Sequence, residues 1–414
     1  MKRIFGLLLA LALCLYPALA AQESAPPVLF GKEAVLYCAE TGQVLLDHNM
    51  DVPVPPASVT KLMTALLVLE SGIDQSQMVT VSHDAVYTIE RGSTHIALNE
   101  GEQVTVEQML YAMLLTSAND AANVLAEAVD GTQAAFAAHM TERARQLGCR
   151  NTHFVNAHGL DDPDHYTTAY DLARITCELL KHDVFLTIAG TQHYTMPATN
   201  KQDQPRTFSS KQSLMDPDSA FYDPSVIAGK NGYTSQAGYT LVTVARRQGI
   251  TLIAVTLGST GNKDAKNRDT AALFDYGYNG FTVHTLDAGT LAQQARAAGL
   301  QPDDGALQPV TVLLQDGQGV DSLRFAASGD SLSIETGVGP PLQVEIPPAA
   351  APTTAVQDPS DVQPSPATAK IPVSWILVGG GCVALAMAGG YFVLRLVRIH
   401  RRRTQLRKLW QHKR

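Results

Sequence analysis

Pro55-Pro56-Ala57-Ser58-Val59-Thr60-Lys61-Leu62-Met63-Thr64-Ala65-Leu66-Leu67-Val68-Leu69-Glu70 is the segment from which the rest of the chain can be placed. Behind the two prolines, Leu62, Ala65, Leu66 and Leu69 recur at helical spacing, which predicts a helix over 58–71 with one face in a core. Ser58 opens that helix, and Lys61 follows one turn later on the same side. A lysine amine held there out of water can lose its proton and serve as base for a serine hydroxyl. The positive end of the helix favours the negative charge that develops on the attacking oxygen. Taken alone, the same residues describe an N-cap serine and a solvated lysine. Their weight comes from the segments around them.

The chain has 414 residues, 45% of them hydrophobic, enough for two or three domains with a sizeable core. Its net charge of -8 conceals an asymmetry. All 39 acidic residues lie between an N-terminal and a C-terminal apolar segment, whereas two of the 31 basic residues precede and nine follow them. The remaining 20 basic residues leave the middle at about -19, which speaks against nucleic acid as a partner. Five cysteines are too few for a disulfide scaffold, and Cys38, Cys149 and Cys177 read as small buried residues.

Met1-Lys2-Arg3, the apolar run from Ile4 to Leu15 and Ala18-Leu19-Ala20 form a secretory signal over 1–20. From 29 to 280 the pattern is one α+β body. Strand signals at Ala34–Cys38 and Val44–Leu46 form a hairpin, a second pair spans Tyr239–Ala245 and Thr251–Leu257, and helical patterns at 105–116, 119–129 and 133–147 lie between. Strands at both ends and helices in the middle predict that the terminal strands share one antiparallel sheet. Residues 282–348 carry strand signals at Val310–Leu314, Ser331–Ile334 and Leu342–Ile346, a small β-rich module. Residues 349–371 are a Pro/Ala-rich stalk. Val373 to Leu394 is uncharged for 22 residues, a helix of about 33 Å that spans a bilayer. The basic tail 395–414 marks the cytoplasmic side, so the expected location is the cell membrane, single-pass, with the body outside. Gly380, Ala384 and Ala388 form a small-residue stripe on which two such helices could pair into a homodimer.

Two further segments carry chemistry. In Leu114-Leu115-Thr116-Ser117-Ala118-Asn119-Asp120 the turn between two helical patterns lets Ser117 relay a proton and Asn119 hold a carbonyl or the lysine. In Gly229-Lys230-Asn231-Gly232-Tyr233-Thr234 the glycines admit another backbone, and Lys230 would bind a carboxylate and depress the pKa of a neighbouring amine. His153, His158 and His165 with Asp161, Asp162 and Asp164 lack a metal-ligand spacing, so neither a metal nor another cofactor is expected.

Together, Ser-x-x-Lys, Ser-x-Asn and Lys-x-Gly in this order resemble the penicillin-recognising serine enzymes. With Asn151–Leu160, His165–Ala173 and Ala237–Thr240, the resemblance narrows to the D-alanyl-D-alanine carboxypeptidases of peptidase family S11, over about 29–280. It implies a β-lactamase/DD-peptidase-like transpeptidase fold, an antiparallel sheet with helices on both faces and a helical subdomain. It further implies a peptidoglycan stem peptide as substrate and β-lactams as inhibitors. In that scheme Ser58, Lys61 and Ser117 are catalytic. Asn119, Lys230, Asn231 and the backbone of Tyr233 hold substrate. The sequence departs from the family at Asn231, where Thr or Ser is usual. Its amide sits one atom farther out, so affinity or rate should fall. A β-lactamase is the enzymatic rival, but the Glu-x-x-Leu-Asn segment typical of one is missing between Asn119 and Lys230. A wall-binding ectodomain weakened at Asn231 is the non-enzymatic one.

Overall fold

A computed structural model of the chain describes residues 25–349. The expected signal segment, spanning helix and basic tail lie outside the described residues, as does the stalk beyond residue 349. Among the described residues no helix is long and apolar enough to cross a membrane.

The strands of the main body are β1 (Glu33–Cys38), β2 (Val44–His48), β3 (Met78–Thr80), β4 (Gln103–Thr105), β5 (His193–Met196), β6 (Arg206–Ser209), β7 (Val226–Thr234), β8 (Gly238–Arg247) and β9 (Ile250–Ser259). The helices are α1 (Lys61–Glu70), α2 (His83–Tyr87), α3 (Val106–Tyr111), α4 (Asn119–Asp130), α5 (Gln133–Gln146), α6 (Ala169–Leu179), α7 (Asp183–Ala189) and α8 (Ala265–Asn279). Five strands form one antiparallel sheet in the order β2-β1-β9-β8-β7. The first strand thus lies beside the last, with Val35 opposite Val255 and Leu36 opposite Ala254.

Both faces of this sheet are covered, which is why its strands read as near-continuous apolar runs. Side chains alternate along a strand. Ala34, Leu36, Cys38, Leu252 and Ala254 therefore meet Leu273 and Phe274 of α8, while Val35, Tyr37, Ile253 and Val255 meet the helical side with Leu62, Met63 and Leu66 of α1. Full burial of each such leucine contributes roughly 1.5–3 kcal/mol. The three cysteines among the described residues are unbridged, and burial pushes the thiol of Cys149 up to about 12.

Three element boundaries differ from the sequence reading. The helix over 58–71 divides into a 3-10 turn at Ala57–Thr60 and α1 from Lys61. The pattern at 105–116 divides into α3 and a wider π turn at Ala112–Thr116. Gly229–Thr234, which carries no strand signal in the sequence, belongs to a nine-residue edge strand.

Downstream, β10 (Phe281–Leu286) pairs with β11 (Val310–Gln315), and β12 (Arg324–Ser328), β13 (Ser331–Glu335) and β14 (Leu342–Glu345) form a three-stranded sheet, with α9 (Ala288–Ala297) completing the unit. Leu286, Leu291, Val312, Leu314, Leu332 and Ile334 form its own core. It is pinned to the main sheet at Gln43, which is 1% exposed; the side chain donates to the Leu313 carbonyl at 2.9 Å and accepts from the Leu313 amide at 2.7 Å.

Candidate active site

Ser58 sits in the 3-10 turn, half-buried, directly after Ala57 at φ 51. A left-handed residue other than glycine costs roughly 1–2 kcal/mol, so the surroundings must hold it there. They do so on three sides: Thr240 Oγ1 donates to the Pro56 carbonyl at 3.0 Å, Thr60 Oγ1 donates to the Ala57 carbonyl at 2.8 Å, and the loop at Gly159 presses on the same carbonyl. A Cβ at Gly159 would lie 1.9 Å from that oxygen, and its φ of +89 also demands glycine.

Lys61 is fully buried, with Nζ 3.1 Å from Ser58 Oγ, 2.7 Å from Asn119 Oδ1 and 2.6 Å from the His158 carbonyl. Burial holds its pKa well below the usual lysine value, the Lys230 cation pushes it the same way, and Asp120 pulls it back in part. A neutral amine has two hydrogens and one lone pair. As an ammonium Lys61 donates to all three oxygens; once neutral, it would keep its two hydrogens on the Asn119 and His158 oxygens and turn its lone pair to the Ser58 hydroxyl.

The second half of the site is built around Lys230. The π turn ends in Ser117 at φ 68, which turns the chain sharply into α4. Lys230, 1% exposed on β7, donates to Ser117 Oγ at 3.0 Å and to the Asn231 carbonyl at 2.7 Å. Burial and the neighbouring Lys211 lower its pKa to about 7. Asn119 opens α4, anchored by its backbone amide on the Thr94 carbonyl at 2.9 Å. Asn231 is half-buried, and Tyr233 is 59% exposed against the Tyr239 ring. At Gly232, β7 comes so close to the turn that carries Ser58 that a Cβ would stand 2.7 Å from the Ser58 amide.

The structure therefore brings Ser58, Lys61 and Asn119 into one hydrogen-bonded group and Ser117, Lys230 and Asn231 into another, with the backbone before Tyr233 against Ser58. Three participants escaped the sequence reading. Lys211, whose amine donates to the Thr116 carbonyl at 3.0 Å, lies in a polar loop without periodicity. His158 acts through its backbone oxygen, which no side-chain motif reports. Asp120 accepts from the Ile96, Leu98 and Ala121 amides and straps the 94–98 loop to α4. Among the described residues no group of three His, Cys, Asp or Glu side chains is placed to hold a metal ion.

Comparison with known proteins fits this geometry. Residues 20–261 match the family model described as D-alanyl-D-alanine carboxypeptidase. The D-alanyl-D-alanine carboxypeptidase DacF of Bacillus subtilis is 32% identical over 302 residues, covering 71% of this chain and 75% of the relative. The crystal structure of the Streptomyces K15 DD-transpeptidase superposes with a TM-score of 0.57 at 28% identity, over 62% of this chain and all of that one. A D-alanyl-D-alanine carboxypeptidase from Mycobacterium tuberculosis gives 0.57 at 27%, over 64% and 96%.

Proposed function

This chain belongs to the D-alanyl-D-alanine carboxypeptidase family, and from that premise we propose how its residues divide the work. It is a serine-type D-Ala-D-Ala carboxypeptidase that removes the terminal D-alanine of peptidoglycan stem pentapeptides through an acyl-enzyme and is inhibited by penicillin. Neutral Lys61 takes the Ser58 proton, and Ser58 Oγ bonds to the carbonyl carbon between the two D-alanines. The backbone amides of Ser58 and Tyr233 receive the oxyanion. The C–N bond then breaks as Ser117 gives its hydroxyl proton to the departing amine and regains one from the Lys61 ammonium, which returns to the neutral amine, and water later cleaves the ester to free Ser58. Asn119 orients the acyl chain, while Lys230 and Asn231 hold the terminal carboxylate.

The observation that carries this reading is the environment of Lys61, a buried amine that forms no ion pair among the described residues and faces the Ser58 hydroxyl. Release of D-alanine from diacetyl-Lys-D-Ala-D-Ala by the wild type, Ser58→Ala and Asn231→Thr tests it. Release above the Ser58→Ala background is expected. Release at that background would leave only a stem-peptide or β-lactam binder.

The sequence supports a place for this chemistry at the outer face of the cell membrane. A signal over 1–20, a stalk over 349–371 and an uncharged 22-residue segment before a basic tail together describe a single-pass anchor. Protease protection of the tail in intact cells, with cleavage of the body, would support that topology. The reverse pattern would overturn it.

A further inference from the structure

We infer that His165, acting through Thr60, is a positioning residue for the nucleophile. The inference rests on the reading of Ser58 as the attacking group. Val155 N–H donates to His165 Nδ1 at 3.1 Å, so that nitrogen carries a lone pair and the ring proton sits on Nε2. Nε2 lies 2.9 Å from Thr60 Oγ1 and donates to it. With its oxygen so engaged, the Thr60 hydroxyl aims its own proton at the Ala57 carbonyl, 2.8 Å away. The result is a one-way chain of donors, Val155 to His165 to Thr60 to Ala57, and it ends on the left-handed residue that immediately precedes Ser58.

Every link is enclosed. Thr60 is 0% exposed and His165 is 2% exposed, its ring edge-on to Phe154 with centroids 5.5 Å apart. Burial keeps the imidazole neutral, with a pKa of about 4; Asp162 raises it, and His153 and Lys61 lower it. A neutral ring is what the chain requires, because a protonated Nδ1 could not accept from Val155. The arrangement also has a partner. The same loop gives its Ala157 carbonyl to Thr64 Oγ1 at 2.6 Å and its His158 carbonyl to Lys61 at 2.6 Å, so one loop fixes both the base and the residue before the nucleophile. Without the chain, the Ala57 peptide can relax out of its left-handed conformation, and Ser58 Oγ and its amide turn with it. Lys230 and Asn119, which hold substrate in this reading, lie on β7 and α4, and among the described residues neither is hydrogen-bonded to Thr60 or His165.

The test compares D-alanine release by full-length wild type, Thr60→Val, Thr60→Ser, His165→Leu, His165→Gln and the Thr60→Val/His165→Leu pair, with Ser58→Ala as background. Thr60→Val and His165→Leu should each lower kcat by about tenfold or more with KM within about twofold, as a misplaced reacting atom does. Thr60→Ser keeps the hydroxyl and His165→Gln keeps an N–H donor, so both should stay within about threefold of wild type. Because both losses act through one route, the double variant should be no slower than the worse single one. The inference is overturned if Thr60→Val retains wild-type kcat, if the serine and valine variants fall equally, or if the double loss is the product of the two. Should Thr60→Val fail to fold, the His165→Gln and His165→Leu pair decides alone, and equal losses there overturn it. Undiminished release by Ser58→Ala would instead remove the underlying reading of the nucleophile.

Discussion

Replacing Gly232 with alanine should disable the enzyme while leaving it folded. An alanine is otherwise at home in a strand, so the effect comes from space alone. The added carbon would stand 2.5 Å from Thr240 Oγ1, 2.7 Å from the Ser58 amide nitrogen and 3.0 Å from Ala57 Cβ. Ordinary contacts lie at about 3.5 Å or beyond, so β7 must retreat from the nucleophile turn by about 1 Å. Overpacking of this size costs roughly 1–3 kcal/mol of stability. The catalytic loss is larger in proportion, because the retreat opens the gap between the Ser58 and Tyr233 amides. A displacement of about 1 Å costs about 10²-fold, and loss of one oxyanion donor about 10²–10³-fold. Steady-state D-alanine release and the second-order rate of penicillin acylation should therefore both fall at least about 10²-fold. Circular dichroism and a urea midpoint would report an intact fold. A folded Gly232→Ala protein whose two rates stay within about threefold of wild type would refute the assignment of this edge to the oxyanion site.

Three other outcomes follow from named contacts. The kcat/KM profile should be bell-shaped. It rises from the acid side as Lys61 loses its proton at a pKa well below the usual value, and it falls as Lys230 loses its cation through about 7 in the free enzyme. Lys230→Arg keeps the charge and should move the alkaline limb upward; an unmoved limb would assign it to another group. Asn231→Thr shortens the donor's reach and should lower KM for the peptide or raise kcat by several-fold, read in the same release assay; no change would show that Asn231 already makes the contact. Glu102, its side chain 0% exposed, accepts from Arg206 at 2.7 and 3.1 Å and from Thr199 Oγ1 at 2.8 Å. Glu102→Gln leaves that guanidinium poorly matched and should cost roughly 3 kcal/mol in urea unfolding, without changing kcat of the folded protein.

What the sequence disclosed and what it hid divide along physical lines. The helix after Ser58 and the strands at both ends of the body were legible because continuous apolar runs and a 3.6-residue period are the direct imprint of burial. The edge strand β7 was not, since Gly229, Lys230, Asn231 and Gly232 erase the apolar signal where the strand abuts the Ala57–Ser58 turn. Motif spacing picked out Ser58, Lys61, Ser117, Asn119 and Lys230, whose side chains the structure gathers into two hydrogen-bonded groups. It could not find the His158 carbonyl or the conformation of Ala57, because backbone chemistry leaves no residue type behind. In the downstream unit, β10, α9 and the largely exposed β12 went unread, while β11, β13 and β14 showed their apolar pattern.

The most direct test of the account is the site of covalent capture. Protein incubated with penicillin, digested and examined by mass spectrometry should carry one penicilloyl group on the peptide that contains Ser58, absent from Ser58→Ala and formed far more slowly in Lys61→Met. Lasting modification of another serine, Ser117 included, or rapid hydrolysis of the drug with no adduct at Ser58, would contradict it.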